Sequence, residues 1–187
     1  METFYIITFI GDDRPGLVEQ VARVIEDNSG NWHDSQLSQL GGKFAGLILI
    51  SLPVDSGTAL EQALKGLSKS GLSMRVTPTS SGHALTSSHE ISLSVIGPDR
   101  PGIVREISQA MASQDINVVS LESQICSAPM SGEMLFEASI RAQIPQDTNL
   151  DQLSDRLDDI ANEMTLDIGL DSALSTFRAT TCALDSR

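Results

Sequence analysis

A short motif that occurs twice constrains this chain more than any other feature. The sequence GDDRPGLV at residues 11–18 returns as GPDRPGIV at residues 97–104, 86 positions later. Each copy follows an apolar, β-branched run and leads into a segment whose apolar residues recur at helical spacing. The 187-residue chain is therefore predicted to contain two copies of one unit, each organised around a strand, a turn and a helix.

The other elements follow the same order in both halves. The first half is predicted to form strands over residues 2–10, 31–40, 44–54 and 72–76, with Gly11 ending the first strand and helices beginning at Pro15 and near residue 60. The second half repeats this pattern, with strands over residues 91–96, 116–126, 136–144 and 166–170. Six extra residues, 127–132, lie between its second and third strands. The order βαββαβ predicts an α+β fold made of two tandem ferredoxin-like domains.

The Pro-Gly turn is the expected binding position. Pro15 suits the first position of a helix, which makes Arg14 the expected N-cap and leaves Asp13 just outside the helix. The unused N–H groups at a helix start attract anions such as a carboxylate. Because proline has no N–H, the expected donors are those of Gly16 and Leu17. An aspartate beside them suits the ammonium group of an amino acid.

The predicted boundaries place the first domain at residues 1–80, a polar linker at 81–88, the second domain at 89–173 and a tail at 174–187. The linker is inferred from a Ser/Thr-rich stretch that begins at Thr77. Each half is small for independent stability, so the two halves are expected to pack together and the chain is expected to form a homodimer.

Composition excludes several classes of protein. The net charge of −13, with no Lys/Arg cluster, argues against direct nucleic-acid binding. The cysteines, Cys126 and Cys182, lack the spacing of a metal or redox motif, which favours a reducing cytoplasm. His83 and His89 lack companion ligands, so no metal site is predicted. No apolar run approaches the length of a membrane span.

These residues resemble a known family. A βαββαβ unit with Asp-x-Pro-Gly after its first strand is similar to the ACT domain, a small-molecule sensor that commonly binds amino acids. Two such units, with GNWHDS at residues 30–35, resemble the glycine cleavage system transcriptional repressor family. The resemblance covers residues 2–173. It implies a regulatory protein that senses a small amino acid, such as glycine, and acts through a protein partner.

The resemblance also implies a set of ligand-binding residues. In ACT domains the ligand typically lies between two domains, held by the turn of one and by contacts from its neighbour. The first set comprises Asp12, Asp13, Arg14, Gly16, Leu17 and Asn31, and the second comprises Asp99, Arg100, Gly102, Ile103 and Asn117. Pro98 replaces Asp12 in the second copy, which argues against two equivalent sites.

Other interpretations remain open at this point. The glycines and prolines of the turn could serve only turn geometry, with Asp13 complementing the helix dipole. Trp32 is expected to pack against the first helix. The alternatives to a ligand sensor are a DNA-contacting regulator and an interaction module without a ligand. No nucleotide-binding, P-loop or nucleophile-elbow motif is present, so no enzyme activity, catalytic residue or cofactor is expected.

Overall fold

The computed structural model describes residues 2–67, 71–79, 89–129, 131–145 and 148–171. The chain divides into two compact units, Met1–Ala84 and Leu85–Arg187. The predicted linker and the predicted tail lie outside the described residues, as do His83 and Cys182.

The first unit contains one four-stranded sheet with two helices on one face. Its elements are β1 (Glu2–Asp12), α1 (Leu17–Asp27), β2 (Asn31–Leu40), β3 (Lys43–Pro53), α2 (Gly57–Gly66) and β4 (Ser73–Thr79). A 3-10 turn, Val54–Ser56, precedes α2. The strand order is β2-β3-β1-β4, and every neighbouring pair is antiparallel. This is the predicted ferredoxin-like arrangement.

The second unit repeats this arrangement. Its elements are β5 (His89–Pro98), α3 (Ile103–Ala112), β6 (Asn117–Ser127), β7 (Met134–Ile144), α4 (Leu150–Met164) and β8 (Asp167–Asp171). The strand order is β6-β7-β5-β8, again antiparallel throughout. Both units also shift register at the same place, between Trp32 and Asp34 in β2 and between Val118 and Ser120 in β6. The predicted α+β fold of two tandem ferredoxin-like domains is confirmed.

Each unit buries an aliphatic core between its sheet and its helices. Alternate residues of the central strands, such as Ile48 and Ile50 of β3, face the helices and are fully buried. Val21 and Ile25 of α1 meet them from the other side. Trp32 is partly buried against this core, as predicted. The scaffold therefore holds the turn between β1 and α1 on two well-packed elements.

The connections between the second and third strands differ as the sequence predicts. Gly41 and Gly42 form a two-residue turn with φ values of 57° and 76°, the left-handed conformations of a tight hairpin. The second unit has a longer connection here, of which residues 128, 129 and 131–133 are described. The Ala128 N–H there donates to the Glu133 carbonyl at 2.8 Å, and the Gly132 N–H donates to the Ala128 carbonyl at 3.0 Å.

Two boundaries differ from the predictions. Gly11 lies inside β1 instead of ending it, since it pairs with Phe44 across the sheet. A Cβ at residue 11 would approach Leu72 Cδ2 to 2.6 Å and the Gly71 carbonyl oxygen to 3.2 Å. Glycine is thus required there for close packing. Residues 77–79 belong to β4, because they pair with β1, and are not linker.

This packing makes Gly11→Ala destabilising. Leu72 is 2 % exposed, so its side chain has no room to retreat from an added methyl group. We expect the free energy of unfolding to fall by about 1–3 kcal/mol, the range for overpacking a core. Chemical denaturation measures it. The control is Gly66→Ala at the end of α2, where a Cβ meets nothing within 4 Å and alanine favours the helix. Equal stability of Gly11→Ala and the unsubstituted protein would contradict the packing argument.

Candidate functional site

The turn between β1 and α1 is fixed by main-chain contacts. The Asp13 N–H donates to the Gly42 carbonyl at 3.0 Å, which ties the end of β1 to the hairpin turn. Gly16 has φ 87° and is the N-cap of α1, since its carbonyl accepts from the Gln20 N–H at 3.0 Å. The prediction of Arg14 as N-cap and Pro15 as first helical residue is therefore wrong. The chain needs a left-handed residue to turn into the helix, and glycine provides it.

Because α1 begins after Gly16, the N–H groups without a helical acceptor belong to later residues than predicted. The first residues of α1 are Leu17, Val18 and Glu19, whose N–H groups precede the first helical hydrogen bond. The Leu17 N–H, which the sequence predicted as a donor, is among these groups, and those of Val18 and Glu19 follow it. These groups, with the positive end of the helix dipole, form an environment that favours a carboxylate.

A cavity of about 290 Å³ lies at this helix start. Its lining residues are Asp13, Arg14, Gly16, Leu17, Val18, Glu19 and Phe44. Four of the predicted site residues therefore come together. Sequence reasoning missed the other three. Val18 and Glu19 follow from the corrected N-cap, and Phe44 follows from its pairing opposite Gly11.

The cavity combines an apolar wall with charges of both signs. The Phe44 ring packs against Phe9 with the ring centroids 5.8 Å apart, which holds the wall in place. Arg14 extends over the helix start, where its Nη2 donates to Gln20 Oε1 at 3.1 Å. Glu19 forms an ion pair with Arg23 one turn along α1. Asp13 and Glu19 supply acceptors for a cationic group close to the N–H donors for an anionic group.

Asp12 lies outside the cavity, contrary to its predicted role. It pairs with Lys43 across β1 and β3 and forms an ion pair with that side chain. The hydrogen bond from Lys43, together with its positive charge, lowers the pKa of the Asp12 carboxyl from its ordinary value. The Asp12 side chain is therefore held by Lys43 on the sheet surface.

Asn31 also lies away from the cavity. It pairs with Ser51 of β3, and Ser51 pairs with Phe4 near the start of β1. The cavity lies at the other end of β1, eight residues further along, which is about 25 Å in an extended strand. Within one unit, Asn31 therefore cannot contact a ligand held at the turn. Asn117 occupies the matching position in the second unit, opposite Gln143.

The second turn has the same backbone and a different charge. Gly102 has φ 104° and caps α3, and the Asp99 N–H donates to the Met134 carbonyl at 2.9 Å. Asp99 and Arg100 precede this cap, and Ile103 begins the helix as a buried core residue. Arg105 stands where α1 has Glu19, and it pairs with Glu106. The two turns therefore present different charges to a ligand.

The described part of the chain gives little support to a catalytic site or a metal site. His33 Nε2 lies 2.9 Å from Ser51 Oγ, but Ser51 is 1 % exposed and cannot be reached by a substrate. Among the described residues, no three His, Cys, Asp or Glu side chains lie close enough together to hold a metal ion. Cys126 is partly buried near the end of β6. None of the described helices is both long and apolar enough to cross a membrane.

The geometry agrees with comparisons to known proteins. Residues 3–77 match the family model of the ACT domain. A 61-residue segment is 34 % identical to the glycine cleavage system transcriptional repressor of Escherichia coli (strain K12), covering 33 % of this chain and 32 % of that protein. The match thus spans about a third of the length of this curated relative. The corresponding protein of Shigella flexneri matches equally.

Two crystal structures match nearly the whole chain. An unknown protein from Galdieria sulphuraria superimposes with a TM-score of 0.82 and 28 % identity, over 93 % of this chain and 100 % of that one. A protein provisionally described as a glycine cleavage system transcriptional repressor superimposes with a TM-score of 0.68 and 26 % identity. That match covers 91 % of this chain and 97 % of the other.

The family match and the fold together describe the first unit. It matches the ACT domain over residues 3–77, and the second unit repeats its α+β architecture. The chain is similar to the glycine cleavage system transcriptional repressors, over 61 residues in sequence and over most of its length in structure.

The contact between Asp12 and Lys43 can be tested by titration. We expect Lys43→Met to raise the pKa of Asp12 towards its ordinary value, because the hydrogen bond and the positive charge are both removed. The lowered pKa stabilises the fold above the unfolded-state pKa, and this stabilisation is lost as the pH falls through the folded-state pKa. Carboxyl NMR chemical shifts against pH measure it. Lys65→Met, which removes a partner of Glu61 on α2, is the control. An unchanged Asp12 titration in Lys43→Met would rule out the ion pair.

Proposed function

We propose that this protein is a non-catalytic sensor of a small amino acid, glycine or one of similar size, bound at the turn between β1 and α1. The observation that carries the proposal is the cavity at the start of α1, which is lined both by the first helical residues and by the acidic residues Asp13 and Glu19. The residues proposed as the binding set are Asp13, Arg14, Gly16, Leu17, Val18, Glu19 and Phe44.

An amino acid has two groups that such a cavity can recognise. Its carboxylate would accept from the N–H groups of Leu17, Val18 and Glu19, which have no helical acceptor. Its ammonium would donate to Asp13 or Glu19, since charge-assisted hydrogen bonds are the strong ones. The volume of about 290 Å³ is at the lower end of the range for ligand pockets, which suits a small metabolite.

Binding would be completed by a neighbouring domain. Asn31 and Asn117 lie too far along their sheets to reach the turn of their own unit. We propose that they contact a ligand held by another ACT domain, as the family pattern implies. The turn carrying Asp99, Arg100, Gly102 and Ile103 is proposed as a second site of different preference, because Arg105 replaces Glu19 there.

The regulatory output is proposed to pass through a protein partner. The relatives are glycine cleavage system transcriptional repressors, which supports a role in repressing expression of that kind. A net charge of −13 disfavours contact with a phosphate backbone, so the DNA-binding step would belong to the partner. We propose a cytoplasmic homodimer that uses no cofactor.

Calorimetry of the full chain against the twenty amino acids tests the ligand site. We expect Asp13→Asn to weaken binding of the amino acid found by about 1.5–3 kcal/mol, the value of a hydrogen bond to a charged group. That corresponds to roughly a tenfold to hundredfold rise in Kd. Thermal unfolding should be nearly unchanged, because Asp13 lies outside the helix and is exposed.

Asp12→Asn is the matched control, since Asp12 is adjacent in sequence but pairs with Lys43 away from the cavity. It should bind the amino acid like the unsubstituted protein. If Asp13→Asn also binds unchanged, the turn is structural and the proposed site is wrong.

Direct DNA binding is expected to be absent. An electrophoretic mobility-shift experiment with the purified protein alone should show no sequence-specific complex, because the chain presents net negative charge to DNA. A salt-dependent mobility shift at nanomolar protein concentration would contradict the proposal that a partner, and not this chain, contacts DNA.

A further inference from the structure

The strands of the two sheets pair in the same register. Each residue on the outer face of the first sheet therefore has a counterpart at the matching position of the second sheet. The outer face of a sheet is here the side away from its helices. Five apolar residues occupy the centre of the first outer face: Phe4, Ile6, Ala45, Leu47 and Leu49. The residues at the matching positions of the second sheet are Glu90, Ser92, Glu137, Ser139 and Arg141. Every apolar residue of this set is polar or charged in the second unit.

The second outer face is mostly polar, although Ile96, the counterpart of Ile10, is apolar and 39 % exposed. Arg141 donates to Ser120 Oγ at 3.0 Å and to Glu90 Oε1 at 3.2 Å. Gln124 donates to Glu137 Oε2 at 2.9 Å. The fold therefore accepts a polar outer face without loss of its sheet. The apolar set on the first sheet needs an explanation other than folding, because buried-core packing is already supplied by the opposite side.

The first outer face is partly accessible. Phe4, Ile6, Ala45 and Leu49 are partly buried, and the His33 ring lies 5.4 Å from the Phe4 ring. Leu47 is 48 % exposed and lies on a central strand. Ile10 at the end of β1 is 49 % exposed, and Leu40 at the end of β2 is 80 % exposed. An exposed, contiguous apolar patch with a polar rim marks an interaction surface. A flat aliphatic face of this kind matches another sheet face, as in proteins made of two stacked sheets.

We propose that the first outer face docks against the same face of a second copy of this chain. The argument for a second copy comes from the charges at the rim. Asp34 lies on β2 at one edge of the face, and Arg75 lies on β4 at the other edge. Both side chains are exposed. The central strands between them carry no charge on this face between Phe4 and Ile10.

A two-fold axis parallel to the strands makes these charges complementary. Such an axis lays β3 of one copy over β1 of the other, and β2 over β4. Asp34 of each copy then lies over the edge that carries Arg75 of its partner copy, so that two opposite-charge pairs form. An axis perpendicular to the strands would instead lay each edge over its own counterpart, with like charges facing.

The distances permit these pairs. Asp34 shares a cross-strand row with Ile6, and Arg75 shares the next row with Thr8. Neighbouring rows on one face are about 7 Å apart, and stacked sheets lie about 10 Å apart. An extended arginine and an aspartate can bridge that separation at the rim of a stacked pair.

Sedimentation velocity of the full chain at several concentrations tests the surface. We expect the unsubstituted protein to dimerise and Leu47→Glu to raise the dimer Kd by at least about a hundredfold, because like charges would meet in a water-poor interface. Ile125→Glu is the control, since Ile125 is 54 % exposed on β6 and lies outside the face. It should dimerise like the unsubstituted protein.

A second variant guards against a folding defect. The double change Leu47→Ser and Leu49→Arg introduces the residues that the second sheet holds at the same positions, so the fold is known to accept them. We expect it to keep its circular dichroism spectrum and to be monomeric. A monomeric unsubstituted protein, or a dimer that neither variant weakens, would overturn the proposal.

A charge exchange tests the direction of the axis. Asp34→Arg alone and Arg75→Asp alone should each raise the dimer Kd by about tenfold, since each change produces two like-charge pairs. The double variant should recover the original Kd. Two single effects that add in the double variant would exclude this pairing. Amino-acid binding by Asp13 is measured separately by calorimetry, so failure of the docking face leaves the proposed ligand site untouched.

Discussion

The structure depends most on one main-chain hydrogen bond, from the Asp13 N–H to the Gly42 carbonyl. It joins the end of β1 to the hairpin between β2 and β3, and it leaves only the Pro15–Gly16 turn to reverse the chain into α1. A net contribution of about 1 kcal/mol is typical for such a bond. Its position matters more than its energy, because it determines where the helix N–H groups emerge beside the side chain of Asp13. The second unit repeats it with Asp99 and Met134.

Most of the fold could be predicted because its signals are local. Apolar alternation, the Gly41-Gly42 turn and the 86-residue repeat are sufficient for the element order, and βαββαβ is compatible with few topologies. One of the two misplaced boundaries arose where a glycine served a long-range contact. Gly11 looks like the end of a strand, yet its role is to admit Leu72, which lies 61 positions later in the chain. Local sequence contains no signal for that approach.

The candidate site was predicted less completely than the fold, again for a physical reason. A Pro-Gly pair is compatible with a helix that begins at Pro15 or one that begins after Gly16, and a shift of two residues changes which N–H groups face the ligand. Asp12 is the last residue of β1 and its side chain pairs with Lys43, whereas Asp13 follows the strand and lines the cavity. Phe44 lines the cavity because strand pairing places it opposite Gly11, and the Pro-Gly motif does not predict that pairing.

The two units differ at positions that the packing of the core does not require. The capping glycine, the main-chain bond at the turn and the buried strand faces are shared, because each is needed to form the unit. Glu19 and Arg105 are both exposed, so the charge at this one helix position can differ between the units without affecting the core. The outer faces are equally free of the core, and five matching positions are apolar in the first unit and polar or charged in the second. A duplicated fold of this kind can therefore assign association to one unit and a different ligand preference to the other, using only positions that its packing does not need.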